Sequence, residues 1–208
     1  MSTTSPSSSS PSDADADTTP QTPVAVPAPL PAPPPTLTLT HHTGDLFAAP
    51  PHSILIHACN TQGQWSAGIA AAFRSLYPRA HQRYRQHCLS HYNPSSNPVP
   101  TGTCLLIPPC EDESDKSGRP QHWIACLFTS AKFGRAKDKP PVILVNTRKA
   151  MRGLLRQVRR SGCGGGGLRM CRINSARFGV PWERTVAVLE GIVLEEGWVG
   201  SAEVWSID

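Results

Sequence analysis

The sequence predicts an α/β domain in which helices cover both faces of a central sheet, preceded by a disordered tail. Two observations carry this prediction. Apolar runs of strand length alternate with segments of helix length from residue 37 onward, and the run at residues 53–59 is apolar on both faces. Alternating strands and helices favour a sheet between two helical layers. A strand that is apolar on both faces belongs in the middle of such a sheet.

The tail comprises residues 1–36, which are rich in Ser, Thr, Pro and Ala and contain hardly any large apolar residue. Such a segment cannot bury enough surface to offset the entropy lost on ordering, so we expect it to be disordered. The first basic residue is Arg74, so the tail lacks the charged start of a secretory signal and the arginines of a transit peptide. No later run is long enough for a membrane span. We therefore expect a soluble protein of the cytoplasm or nucleus.

The first half of the domain reads as two strands and two helices. "LTLTHHTGDLF" alternates and then stops at Thr-Gly-Asp, which indicates a strand and its turn. "SILIHAC" is the predicted central strand. The small residues of segment 66–76 predict a helix, and Pro78 suits the first position of a second helix that continues to about Cys88.

The second half supplies the remaining elements in the same alternation. "TCLLIP" and "HWIACLFT" indicate two strands joined by the polar insertion 111–121. A helix is predicted over residues 142–160, because Ala150, Met151, Leu154, Leu155 and Val158 fall on one face. A glycine-rich loop, for which we expect flexibility, precedes the strand "LRMCRIN". A helix over residues 182–195 and the strand "AEVWSI" complete the chain.

Three loops are predicted to meet at the carboxyl ends of these strands, where open α/β sheets bind ligands. They span residues 43–47, 60–69 and 174–180. Free amides at the start of a helix favour an anion, and small side chains let a phosphate approach them closely. The alternative is that the small residues serve only packing and ordinary turns. Asp45 either closes an Asx-type turn or is a buried carboxylate that accepts a bond from an exocyclic amine.

Several function classes are disfavoured. No P-loop occurs, and the GxGxxG match at residues 162–167 follows a predicted helix instead of a strand, which argues against a nucleotide triphosphatase and a Rossmann dehydrogenase. The seven cysteines show no zinc-ligand spacing and are expected to be reduced core residues, so no metal is predicted. The net charge of +5 is concentrated in helical stretches such as "RKAMRGLLRQVRR". A solvated helix face explains these charges better than a nucleic-acid surface.

Three motifs, "TGDLF", "ILIHACN…GQWSAGIAAAF" and "INSARFGVPW", occur here in the order and spacing typical of macro domains. The chain resembles that family over residues 37–208, and it is most similar to the fungal ADP-ribose 1''-phosphate phosphatases within it. The resemblance implies a three-layer α/β/α macro domain with a central mixed sheet. It also implies that the three loops form an ADP-ribose cleft.

The resemblance assigns roles where the residues match the family motifs. Asp45, with Gly44 and Leu46 beside it, would hold the adenine amino group. Asn60 would orient the distal ribose and take part in catalysis, next to Ala58 and Cys59. The loop around the diphosphate and distal ribose would comprise Trp65, Ser66, Ala67, Gly68, Ile69 and Ala70. The second phosphate loop would comprise Asn174, Ser175, Ala176, Arg177, Phe178, Gly179 and Val180.

His57 has two interpretations. The fungal branch carries His where many macro domains have Asn, so His57 could act as a general acid or base, or steady the leaving ribose oxygen. Its position on the strand is opposite in parity to Asn60, which would make it a core residue facing the other side of the sheet.

The chain departs from the family pattern at several positions. Ser66 and Ala67 replace glycines of the first loop, and Ala176 replaces a glycine whose backbone would be strained in alanine if its φ were positive. Ser130 and Phe178 stand where the ADP-ribosyl-protein hydrolases of the family have a lysine and an aspartate.

These residues together predict an enzyme that hydrolyses ADP-ribose 1''-phosphate, a by-product of tRNA splicing, to ADP-ribose and phosphate. A non-catalytic ADP-ribose reader and an ADP-ribosyl glycohydrolase or deacylase are the alternatives. We expect a small-molecule ADP-ribose derivative as substrate, no cofactor, no membrane or nucleic-acid partner, and a monomer.

Overall fold

A computed structural model describes residues 32–111 and 121–207, and the compact unit within it begins at Pro34. The described residues contain six strands and four α-helices. The strands are β1 (Thr38–Thr43), β2 (Ile54–Asn60), β3 (Cys104–Ile107), β4 (Trp123–Ser130), β5 (Leu168–Met170) and β6 (Ser201–Ser206). The helices are α1 (Ile69–Leu76), α2 (Pro78–Gln86), α3 (Pro140–Ser161) and α4 (Trp182–Glu190). A π-helical turn, His87–His91, extends α2.

The strands form one mixed sheet in the order β1-β6-β5-β2-β4-β3. All neighbouring pairs are parallel except β3 with β4. The five parallel strands therefore end at the same edge of the sheet, as the sequence predicts. The predicted central strand, β2, is confirmed: it pairs with β4 on one side and β5 on the other.

Two hydrophobic cores lie on opposite faces of this sheet, which confirms the three-layer α/β/α architecture. Ile54 and Ile56 of β2 belong to the core under α3 and α4. Leu55 and Cys59 point the other way, into the core under α1 and α2. The predicted apolar face of α3 is also confirmed, because Ala150, Met151, Leu154, Leu155 and Val158 are all buried against the sheet.

Two predicted helix boundaries were wrong. α1 begins at Ile69 rather than residue 66, because Gly68 has φ +58 and ψ −144, which no helical residue adopts. α4 ends at Glu190 rather than residue 195. Beyond it the chain pairs with the segment before β1, where the Leu37 amide donates to Ile192 (3.0 Å) and the Leu194 amide donates to Pro35 (2.9 Å).

The predicted disorder of the tail concerns residues that lie largely outside the described ranges, and residues 112–120 of the predicted insertion lie outside them as well. At the border of the predicted domain, Thr36 already forms a β-bridge with Val193. No helix among the described residues is both long enough and apolar enough to cross a membrane. All seven cysteines are free thiols.

Candidate functional site

A cleft of about 1000 Å³ opens at the edge of the sheet where the parallel strands end. Parts of all three predicted loops line it: Gly44–Phe47, Asn60 with Gln64 and 66–70, and Asn174–Phe178. The predicted convergence of these loops therefore occurs. Three further segments line the cleft that the sequence analysis did not select: residues 133–135 with Lys137, which follow β4, residues 171–173, which precede the second loop, and residues 205–207 at the end of β6.

Asn60 organises the first loop. Its side-chain oxygen accepts a hydrogen bond from the Gln62 amide (2.8 Å), and its Nδ2 donates to the Gln64 carbonyl (2.9 Å). The buried Tyr84 hydroxyl donates to the Asn60 carbonyl at 2.7 Å. The register of β2 against β4 shifts between Cys59 and Asn60, so that Asn60 pairs with Ser130. Asn60 therefore both lines the cleft and fixes the turn that leads to α1.

The start of α1 forms the wall after that turn. The lining residues Ser66, Ala67 and Gly68 are small, and the first amides of α1 follow directly. Gly68 occupies the left-handed region at φ +58, so the turn requires glycine here even though Ser66 and Ala67 have replaced others. This wall has the free amides and the space that favour an anionic oxygen.

Asn174 anchors the second loop to the core. Its Oδ1 accepts a bond from Thr129 (3.0 Å) and its Nδ2 donates to Thr147 Oγ1 (2.9 Å). Its carbonyl accepts the Val180 amide at 3.0 Å, which closes the loop at its far end. Asn174 has φ +66, a conformation that costs an asparagine less than most residues. The loop that lines the cleft is thus held from β4 and α3.

The expected strain at Ala176 does not occur. Among the described non-glycine residues only His52 and Asn174 have positive φ, so an alanine fits at position 176. Beside it, Ser175 lines the cleft, while its hydroxyl is buried and has no hydrogen-bond partner among the described residues. A buried polar atom without a partner is costly.

The segment after β4 is the wall that sequence reasoning missed. Asp138 fixes it, because its Oδ2 accepts the Ala131 amide at 2.8 Å and its own amide donates to Ser130 Oγ at 2.9 Å. Thr61 of the first loop donates to the Ala131 carbonyl at 2.8 Å, which joins the two walls. The topology of the sheet could have indicated this segment. It follows a parallel strand next to β2 and therefore begins at the same edge of the sheet.

The other end of the cleft is built around Trp205. Its indole N–H donates to Glu203 (2.8 Å), and the Arg169 guanidinium lies 4.5 Å from the ring centre while pairing with Glu203 at 2.7 Å. Asp45, on the neighbouring strand end, is exposed rather than buried. Its Oδ1 accepts the Phe47 amide (2.9 Å), which is the Asx-type turn of the first interpretation.

His57 does not line the cleft. It is fully buried, its ring stacks on Phe73 with 4.2 Å between centres, and Trp65 packs edge-on at 4.7 Å. The core interpretation drawn from strand parity is the one that the geometry supports. Four other predicted binding residues also lie outside the lining: Cys59, Trp65, Gly179 and Val180.

The structure brings together ligand-type atoms that the sequence spacing did not predict. His57, Cys59 and Cys126 place nitrogen and sulfur atoms within 4.8 Å of one another in the core. The Cys59 sulfur lies 3.6 and 3.5 Å from the two ring nitrogens of His57. All three side chains are buried, and none of them lines the cleft.

The same cluster alters the acidity of Cys59. Burial by itself would raise its pKa, but a hydrogen bond from Cys126 and the charge of His57 outweigh burial and lower the pKa to about 6. The thiol is 2% exposed, so this acidity lies beneath the cleft and not in it.

Comparisons with known proteins agree with this architecture. The Macro domain family model matches residues 56–189. The ADP-ribose 1''-phosphate phosphatase of Chaetomium globosum is 49% identical over 164 residues, which cover 77% of this chain and 86% of that protein. The enzyme of the same name from Neosartorya fischeri is 43% identical and is covered to 88%. Among solved structures, Thermosipho africanus DarTG in complex with ADP-ribose superposes with a TM-score of 0.60 at 16% identity, over 86% of this chain and 44% of that one.

Proposed function

The chain belongs to the macro domain family, and from this premise we propose that it hydrolyses ADP-ribose 1''-phosphate to ADP-ribose and phosphate. The observation that carries the proposal is the 49% identity to a phosphatase of that name, which extends over 86% of that protein. The cleft adds independent support, because it has room for a nucleotide-sized ligand and presents helix-start amides to it.

The two ends of the cleft suit the two ends of such a substrate. Trp205 and the Asp45 turn offer an aromatic wall and a carboxylate to the adenine. The turn at Gly68 and the loop 174–178 face each other farther along and offer backbone amides to the diphosphate. Asn60 lines the cleft at the end of β2, where a ribose hydroxyl can bond to it.

Hydrolysis would follow from positioning. A water oxygen forms a bond to the terminal phosphorus while the bond from phosphorus to the ribose oxygen breaks, and that oxygen leaves with a proton. Phosphoryl transfer passes through a loose transition state that needs charge stabilisation more than activation of the nucleophile. The amides and cations around the loops supply this stabilisation, and the closed turn at Asn60 holds the ribose in line.

The test is to measure inorganic phosphate released from ADP-ribose 1''-phosphate by the wild type, by Asn60→Ala and by Asn97→Ala. Asn97 is an exposed asparagine outside the cleft, so its variant controls for the substitution itself. We expect the Asn60 variant to lose at least about 10-fold in kcat/KM, because the turn that orients the ribose loses two hydrogen bonds. A wild type without turnover would refute the proposal.

A non-catalytic reader of ADP-ribose is the second candidate, and the placement of His57 favours it. The one side chain that the sequence offers as an acid or base is buried outside the cleft. Tight binding of ADP-ribose without phosphate release would select the reader. The glycohydrolase alternative is weakened by Ser130, which is fully buried and whose hydroxyl donates to the Lys132 carbonyl at 2.9 Å.

A further inference from the structure

Arg177 reaches across the cleft from the second loop to the first. A Cβ placed on Gly68 would lie 3.7 Å from Cγ and 3.8 Å from Nε of Arg177. The side chain therefore lies over the turn that opens α1, although its backbone belongs to the opposite wall. Its position puts a guanidinium above the gap between the two loops that face the diphosphate.

Lys137 lines the same cleft from the third wall. Its Nζ lies 3.6 Å from the position that a Cβ on Gly179 would take, so it lies against the far end of the second loop. The segment that carries it is fixed by Asp138 and tied to the first loop through Ala131. Arg177 and Lys137 thus bring two cations from different elements to the second loop and to the cleft that it lines.

Among the described residues, these cations have no acidic partner. Four basic residues line the cleft, and none forms an ion pair or a side-chain hydrogen bond with another described residue; they are Arg135, Lys137, Arg172 and Arg177. Elsewhere the chain does pair its arginines, as Arg152 does with Glu195. The one carboxylate among the described lining residues is Asp45, which follows β1, four strands away from β4 in the sheet.

A pair of cleft-lining cations without an acidic partner among the described residues suits a terminal phosphoryl group. A phosphomonoester carries a charge of about −1.5 to −2 at pH 7, and the product ADP-ribose lacks it. On the basis of the proposed function, we infer that Arg177 and Lys137 bind the terminal phosphoryl group and determine the preference for ADP-ribose 1''-phosphate over ADP-ribose. The two cations favour binding of the phosphorylated substrate. After hydrolysis the negative charge leaves with the phosphate, so the same cations no longer hold the ADP-ribose product and its release is favoured.

The experiment compares Arg177→Gln, Lys137→Gln and the double variant with two matched controls, Arg184→Gln and Lys139→Gln. The controls make the same charge changes at exposed residues outside the cleft, one on α4 and one directly before α3. Two quantities are measured for each protein: kcat and KM for phosphate release from ADP-ribose 1''-phosphate, and the Kd of ADP-ribose by calorimetry.

We expect KM to rise about 10-fold in each single variant and further in the double variant, as for the loss of a charge-assisted contact. The Kd of ADP-ribose should change less than about 3-fold, and both controls should resemble the wild type. An equal loss of ADP-ribose affinity would overturn the inference, because the cations would then hold the diphosphate. Unchanged KM in the double variant would overturn it as well.

The inference also has a test if the wild type releases no phosphate and the proposed function fails. Competition against a fluorescent ADP-ribose probe then gives the Kd of both compounds. A wild-type preference of about 10-fold or more for the phosphorylated compound, lost in the double variant, would support the pair of cations. No preference in the wild type would refute it.

Discussion

Asn174 shows how one residue connects the core to the cleft. It combines a left-handed backbone with two buried side-chain hydrogen bonds, to Thr129 and Thr147. The Thr147 hydroxyl already donates to the Ile143 carbonyl at 2.7 Å, so it accepts from Asn174 and cannot donate to it. An amide is therefore needed at this position rather than a carboxylate.

We expect Asn174→Ala to lower the free energy of unfolding by about 2–4 kcal/mol, because it removes the acceptor of the buried Thr129 hydroxyl and puts alanine at φ +66. Asn174→Gly removes the same bonds without the backbone strain and should be about 1 kcal/mol more stable than the alanine variant. Urea denaturation of the three proteins measures both differences. Equal stability of the two variants would mean that the backbone at position 174 is not strained.

His122 predicts a pH dependence of stability. Its Nε2 donates to the Ala49 carbonyl (3.0 Å) and its Nδ1 accepts the Tyr77 hydroxyl (2.6 Å), so the neutral ring is the form that fits. Burial lowers the pKa of His122 below its usual value, outweighing the bonds to backbone carbonyls that raise it. The stabilisation is therefore complete above the unfolded-state pKa of about 6.5 and is lost as the pH falls through the folded-state value.

Denaturation at pH 7.5 and at pH 5.5 tests this, with His122→Gln as the variant. The wild type should lose stability between the two pH values, and the variant should lose measurably less. His81 and His87, whose pKa values burial also lowers, titrate in both proteins and cancel in the comparison. An identical loss in the two proteins would exclude His122 as a source of acid sensitivity.

The glycine-rich loop that follows α3 is more constrained than its composition suggests. Ser53 Oγ donates to the Gly166 carbonyl at 2.8 Å, and the Ile54 amide donates to Gly167 at 2.9 Å, where β2 begins. A Cβ on Gly166 would lie 2.5 Å from the Ser53 nitrogen and 2.7 Å from the Pro51 carbonyl oxygen. The glycine-rich loop, for which we expected flexibility, is instead packed against the start of the central strand.

The neighbouring glycines provide a matched pair of variants. Gly166→Ala should cost about 1–3 kcal/mol of unfolding free energy, since backbone atoms must move to admit the methyl group. Gly165→Ala meets nothing within 4 Å and has no positive φ, so it should be neutral or stabilise by up to about 1 kcal/mol. Thermal unfolding of both variants measures these two changes in the free energy of unfolding. Two variants of equal stability would contradict the packing described for Gly166.

For the whole molecule, the boundary of the folded domain is the testable quantity. Contacts of the described chain begin with the Pro35 carbonyl, and Leu37 is 1% exposed. Deleting residues 1–31 should change the free energy of unfolding by less than about 0.5 kcal/mol, because those residues are too polar to contribute a core. Deleting residues 1–39 removes two buried leucines and the first two of the six residues of β1, and should cost about 3 kcal/mol or more.

Calorimetry and phosphate release, measured on both truncated chains, test this boundary. Loss of stability or of turnover in the shorter deletion would show that the tail takes part in the fold or the site.

Local sequence patterns were enough to predict the succession of strands and helices, the central position of β2 and the three loops at one edge of the sheet. They were enough because periodicity and turn residues report local structure, and because parallel strands must end together. Three features could be seen only in the folded chain: His57 lies in the core, Asn174 takes the left-handed backbone instead of Ala176, and residues 133–137 form a third wall. Those features depend on a register shift and on hydrogen bonds between residues up to 70 positions apart, such as Thr61 with Ala131. Local pattern carries no information about such contacts, because they exist only once the distant segments have packed together.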